Sequence, residues 1–463
     1  MDKNEFVSGV LVENGIVTAV GDTAFVPGVK KIDLDGAFMM PSFIDAHSHF
    51  SQVAASFLQI TLENDSSLEK KVREFIEKNS LLPGEWIQVN GYSGESLPDK
   101  GALDNLSPCN PLVVMHQSGH MGVFNEAAAA ALGVKGGYYE ETDFISLIRR
   151  VPQPSAEKML LAYEKAQDLY ISYGITTVQD GMVVKEVIPM YKMIENKLKV
   201  DIAAYAEIAA YNEFNENFPD ICKGVKVFLD GSPQQKTAWM RTPYLGTSSY
   251  GCGTMSDTEL EKAVLFCEKT GAQLIAHCNG DAAAQQYIDC LERHCLDRPV
   301  MIHAQFLDSD QFEGVKLAGI IPSFFVAHVY FFGDIHIKNI GFERASRISL
   351  CSEAIKHDVL FTFHQDSPVI KPDMLFTVQC AVRRRTKNGV KLGEGIDVFH
   401  ALRAVTANVA YQYHSEQKLG TIEPGKKADF VIIDKDIASL PSEDISSAKI
   451  LSVIKDGENI YNG

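Results

Sequence analysis

Positive charge is scarce in this chain. Its 463 residues carry 43 Lys and Arg against 60 Asp and Glu, a formal charge of −17. A surface so acidic repels phosphate backbones and anionic lipid, which excludes nucleic acid and acidic membranes as expected partners. Long apolar runs are missing too, and none approaches the ~20 residues of a membrane-spanning helix. The opening Met1-Asp2-Lys3-Asn4-Glu5-Phe6 lacks the apolar core of an export signal, so a cytoplasmic location is expected. Nine cysteines are present but none is spaced C-x-x-C, and an odd, scattered set fits reduced thiols better than a disulfide framework. Cys278, next to His277, reads as a buried spectator thiol, with a soft metal ligand as the alternative. Repeats and low-complexity segments are absent.

What is there is a globular composition, 46% hydrophobic and 22% charged, in a chain long enough for one large domain plus a satellite. Residues 7–12, 16–21 and 31–36 read as short strands, and so do 428–433 and 450–457 near the other end. Between them lie eight β-branched, apolar runs: 43–49, 174–180, 202–207, 225–230, 272–277, 300–303, 320–324 and 359–364. Most gaps hold a helix, with 156–172 and 258–270 rich in Ala, Leu, Glu and Lys. Eight strand–helix units imply an α/β fold, a (β/α)8 TIM-type barrel. The expected division is a small discontinuous β-sandwich domain from 1–40 plus 410–463, and a barrel from 41–409. The barrel carries a large insertion after its first strand, 50–154, read as a cap or lid with strands of its own at 86–91 and 112–116.

The first of these runs, Pro41-Ser42-Phe43-Ile44-Asp45-Ala46-His47-Ser48-His49, ends in two histidines at i and i+2. Alternation along a strand puts both on one side, as a pair of ligands requires. Active sites of such barrels lie at the C-terminal strand ends. There the polar residues collect: His47 and His49 on strand one, Lys226 and Asp230 on four, His277 on five, His303 on six, Asp366 just after eight. Two or three of the 13 histidines at strand ends would carry little weight. Four His, an Asp and a Lys spread over five strands point to a metal site. Lys226, Phe228 and Asp230 share a strand face, so Asp230 either orients a ligand or caps the next helix. Asp281 reads as the N-cap of the helix after His277. His364 either supports Asp366 from behind or faces the barrel exterior. Arg383-Arg384-Arg385 reads as a solvated or salt-bridged helix face.

Taken in order, these motifs resemble the amidohydrolase superfamily, and within it the YtcJ-like branch that includes N-substituted formamide deformylase. The resemblance runs from Pro41–His49 through Ser118-Gly119-His120 with Asn125, Gly174-Ile175-Thr176-Thr177, Val225-Lys226 with Asp230-Gly231-Ser232, and His277 with Gly280-Asp281-Ala282. It continues through Ile302-His303-Ala304-Gln305, Asp366-Ser367-Pro368-Val369 and the 420–430 segment. It implies one or two divalent ions, zinc foremost, with His47, His49 and Asp366 around an inner ion and His277 and His303 around a second. It also implies a carbamate on Lys226 bridging the two, the alternative being an unmodified Lys226 that binds substrate or pairs with Asp230. Asp366 would act as general base and acid, with His120, His328 and Asp230 near the substrate. The implied activity is hydrolysis of a non-peptide C–N bond by metal-activated hydroxide, on a small linear N-acyl or N-formyl amine. A cyclic-amide hydrolase resembling imidazolonepropionase is the alternative. From another class, a non-catalytic regulatory or scaffold protein with this fold also stands. A homodimer is a family-level expectation. Two departures stand out: His364-Gln365-Asp366, where many relatives have Gly-Ser-Asp, and the loop 232–238 after strand four.

Overall fold

The computed structural model describes residues 6–62, 67–93, 96–116 and 120–463. Eight strands form one sheet, hydrogen-bonded in chain order: Phe43–Ile44, Ile175–Val183, Asp201–Ala206, Cys222–Phe228, Gln273–Cys278, Val300–His303, Ile321–Phe324 and Thr362–Phe363, called barrel strands 1 to 8 below. Every neighbouring pair is parallel. Strands 1 and 8 meet just past their ends, where His49 N–H donates to Ser367 O at 2.9 Å and Asp366 N–H to His47 O at 3.3 Å. This is the expected TIM-type barrel.

Its interior is apolar because the strands are: Ile44, Tyr205, Ile275, Ile302 and Ile321 pack together with Val409, Ala410 and Tyr413 from the chain around helix Ala407–Gln412. That segment ties the barrel floor to strands 1 and 8, since Gln412 Nε2–H donates to Ala46 O, Thr362 O–H donates to Gln412 Oε1, and Tyr413 O–H donates to Asp45 O. Helices fill the gaps with local stop and start signals. Asp257–Thr270 begins at a Ser256/Glu259 capping box and ends at Gly271, whose left-handed φ of 72° closes it.

Both ends of the chain contribute to a four-stranded antiparallel sheet ordered Glu458–Asn462, Ile450–Lys455, Phe430–Ile433, Phe38–Pro41. A hairpin, Val10–Glu13 with Ile16–Val20, joins it through the Ile16–Lys427 bridge. Residues 31–36 are not a strand, because Asp35 N–H bonds Asp33 Oδ1 and Asp35 and Gly36 take φ of 50° and 82°, a turn.

Residues 51–166 form a second compact unit. Its five-stranded sheet runs Ile60–Thr61, Ile87–Tyr92, Leu112–His116, Met121–Phe124, Gly137–Glu140. Alternation gives it two cores: Leu112 and Val114 pack with Ile87 and Val89 on one face, Val113 with Phe124 and Phe144 on the other. No helix among the described residues is long and apolar enough to cross a membrane.

The arginine run differs from its surface reading. Arg384, 2% exposed, ends helix Met374–Arg383 in a left-handed conformation and donates to Leu392 O, Ser349 O and Ile348 O. A guanidinium offers five donors, and here three carbonyls take them, of which Ser349 O also accepts from Cys351 N–H.

Candidate metal centre

The strand ends bring the predicted ligands to one place. Asp366 Oδ1 lies 3.3 Å from His47 Nε2 and 3.4 Å from His49 Nε2, and Oδ2 lies 4.0 Å from His303 Nε2. His303 Nε2 is 3.1 Å from His277 Nδ1, and Lys226 Nζ is 3.1 Å from His47 Nε2. One ligand atom each from His47, His303 and Asp366 falls within 4.8 Å of the other two. Two of these residues sit in left-handed backbone, His303 at φ 73° and Asp366 at φ 56°. Such conformations cost a non-glycine residue ~1 kcal/mol or more and cluster at functional sites.

A partner behind His47 fixes its tautomer. Gln179 on barrel strand 2 accepts from His47 Nδ1–H, and its own amide donates to Ala46 O and Tyr413 Oη, which sets the carbonyl toward the ring. His47 Nε2 is therefore a lone pair aimed at the cluster. His277 Nε2 stands between an acceptor, Gly231 O at 3.3 Å, and a donor, Asn279 Nδ2 at 3.0 Å, and its Nδ1 faces His303. Gly181 makes room for His47: a Cβ there would stand 2.5 Å from His47 Cε1 and 2.9 Å from Ser48 O.

Burial dominates the electrostatics. It lowers His47 to about 3 and His277 to about 4, with the Lys226 charge adding to both, and it takes His303 well below the ordinary imidazole range. Burial also pushes the Lys226 ammonium down to about 7, against the attraction of Asp366. Asp366 would be raised by burial alone, but His47 and His49, with the His303 charge, hold it well below the usual carboxylate range. The site is thus built of neutral imidazoles, a readily deprotonated lysine and an ionised carboxylate. Asp366 Oδ1 and His49 Nδ1 are buried with no hydrogen-bond partner among the described residues. The unpartnered Asp366 Oδ1, beside the Nε2 atoms of His47 and His49, suits a divalent cation.

Other predicted residues fall elsewhere. Both oxygens of Asp230 are committed to backbone: Oδ1 accepts from Asn279 N–H, Oδ2 from Gly280 and Trp239 N–H. It clamps two loops at the strand ends, and burial raises it to about 7 against those three donors. Gly280, not Asp281, is the N-cap of helix Asp281–Leu291, and Asp281 pairs instead with Arg241 N–H and Nε–H. His328 opens helix His328–Ile340, and its Nδ1 lies 2.8 Å from His336 Nε2 in a buried stacked pair. His120 belongs to the 51–166 unit, where its Nδ1 lies 3.2 Å from Glu141 Oε2; Ser118 and Gly119 lie outside the described residues. Cys278 is buried with its Sγ toward Gly280 O. Phe228 is 40% exposed, its ring 5.4 Å from that of His277 and 5.3 Å from Lys226 Nζ.

A barrel with these donors at its strand ends defines a hydrolase that works with a divalent metal. The chain belongs to the amidohydrolase family, whose model matches residues 30–461. It is 24% identical over 523 residues to "Putative amidohydrolase YtcJ" of Bacillus subtilis (strain 168), covering 100% of this chain and 97% of that one. It is 22% identical to N-substituted formamide deformylase of Arthrobacter pascens over 98% of this chain and 95% of that one. These place it in the YtcJ-like branch. Among solved structures, an uncharacterized metal-dependent hydrolase from Pyrococcus horikoshii OT3 superposes with a TM-score of 0.77 at 23% identity, covering 94% of this chain and 95% of that one, and so shares the fold.

Proposed function

We propose that this hydrolase cleaves the C–N bond of a small linear amide, an N-acyl or N-formyl amine, with zinc as its metal. The observation that carries the reading is the convergence of His47, His303 and Asp366 ligand atoms within 4.8 Å, flanked by His49, Lys226 and His277. His47, His49 and Asp366 would hold one ion, and His277 and His303 a second. A divalent ion there supplies Lewis acidity, polarising an amide carbonyl and making water nucleophilic near neutral pH.

The protein groups do the rest. With its pKa pushed down to about 7, Lys226 presents a neutral amine that carbon dioxide would convert to a carbamate with loss of one proton, and that anion would serve as a further ligand between the two sets. Asp366, ionised and with Oδ1 lacking a donor, takes the proton of the attacking water and returns it to the leaving nitrogen. The partly exposed Phe228 ring offers an apolar shelf beside Lys226 and His277, which favours an apolar substituent on the amide. Hydrolysis of linear N-formyl and N-acyl amines, assayed beside cyclic amides with the zinc-loaded protein, tests the proposal. Linear substrates should be turned over; ring opening alone would replace the reading with a cyclic-amide hydrolase.

A further inference from the structure

We propose that His364 is a positioning residue that holds the His303 ring by its Nδ1, so that Nε2 is the nitrogen presented to the metal. This rests on the metal-centre reading above. His364 follows barrel strand 8 and is fully buried against the rings of His47 and His303. Its Nε2 lies 3.2 Å from His303 Nδ1, and its Nδ1 lies 2.9 Å from Ser323 Oγ on barrel strand 7. The trio of converging ligand atoms does not include it.

A neutral imidazole has one donor nitrogen and one acceptor. His303 Nε2 points at the site, 3.1 Å from His277 Nδ1 and 4.0 Å from Asp366 Oδ2. To offer a lone pair there, His303 must carry its proton on Nδ1 and donate it to His364 Nε2. His364 then carries its own proton on Nδ1 and donates it to Ser323 Oγ. Run backwards, the relay would put a proton on His303 Nε2 and remove the ligand. The Ser323 hydroxyl both donates and accepts, so the relay tolerates either direction until a cation on Nε2 selects the first. A small residue in place of His364 would leave His303 Nδ1–H facing a void, and the left-handed backbone of His303 gives its ring an uncommon starting geometry. Packing alone explains neither bonded nitrogen of His364.

The test is Zn2+ affinity of the metal-free full-length protein, measured by competition with a chromophoric chelator, together with the visible spectrum of the Co2+-loaded form. His364→Phe fills the space without an acceptor and should weaken Zn2+ binding roughly 10–100-fold and shift the Co2+ bands. His364→Gln, whose carbonyl accepts from His303 Nδ1–H, should recover most of the affinity and the spectrum. Should His364→Phe not fold, His364→Met replaces it, close to Gln in volume but without the acceptor. Wild-type affinity with an unchanged Co2+ spectrum in the Phe or Met variant overturns the proposal alone. A wild-type protein that takes up no Zn2+ overturns the metal centre and this inference together.

Discussion

Replacing Gln179 by Leu isolates the support of a single ligand. Gln179 makes three buried hydrogen bonds, accepting from His47 Nδ1–H and donating to Ala46 O and Tyr413 Oη. Two of those partners keep another bond: Ala46 O still accepts from Gln412 Nε2–H, and Tyr413 O–H still donates to Asp45 O. The loss therefore concentrates on His47 Nδ1–H, one buried donor without an acceptor, worth about 1–3 kcal/mol. His47 can relieve it by moving its proton to Nε2, which lies 3.1 Å from Lys226 Nζ and 3.3 Å from Asp366 Oδ1, but that proton then blocks the ligand lone pair. The expected result is a Zn2+ affinity lower by roughly 10–100-fold, with a loss of about 1–3 kcal/mol in urea unfolding of the metal-free protein. Unchanged Zn2+ affinity in a folded Gln179→Leu protein would refute the assignment of His47 Nε2 as a ligand.

Gly181→Ala should weaken metal binding as well, because the new Cβ displaces His47, and metal titration against wild type checks it. Arg384→Met, which strands Leu392 O and Ile348 O while Ser349 O keeps its bond from Cys351 N–H, should cost about 2 kcal/mol or more in denaturant melts without touching metal content. Lys226→Ala should lose metal and activity, with part of both restored by added short-chain carboxylates; full metal occupancy in that variant rules out the bridge. The metal-free protein should lose stability as pH falls from about 6.5 toward 4. His47 and His277 are held at about 3 and about 4 when folded, so only the unfolded chain gains their protons in that window, at about 1.4 kcal/mol per pKa unit displaced. Asp230, raised to about 7 when folded, works in the opposite direction over the same range, so thermal melts are read on Asp230→Asn, where a flat profile would contradict the burial of these imidazoles.

How much of this was legible in the residues depends on the distance a signal has to travel. Period-two alternation paired His47 with His49, although strand 1 ends at Ile44 and both stand in the turn beyond it, and eight apolar runs with helices between them were enough for the barrel. The position of His277, His303 and Asp366 at strand ends followed from the same pattern. Partners set by barrel closure left no local trace. Gln179 and Ser323 stand in ordinary apolar strands, and only the closed sheet brings one to His47 and the other to His364. Charge patterning misread Arg384, because its three acceptors come from residues 348, 349 and 392, remote in the chain or past a turn. Asp230 and Asp281 had the right neighbourhood, but which backbone N–H groups they face depends on loops whose course no periodicity encodes.

The central claim is that these strand ends hold a divalent metal on which hydrolysis depends. Elemental analysis of the purified protein tests it most directly, beside Asp366→Asn and with linear-amide turnover followed through chelation and Zn2+ return. One or two divalent ions per wild-type chain are expected, with a deficit in the variant and activity that leaves and returns with the metal. A folded wild-type protein with no bound ion, or one whose turnover survives chelation, would contradict it.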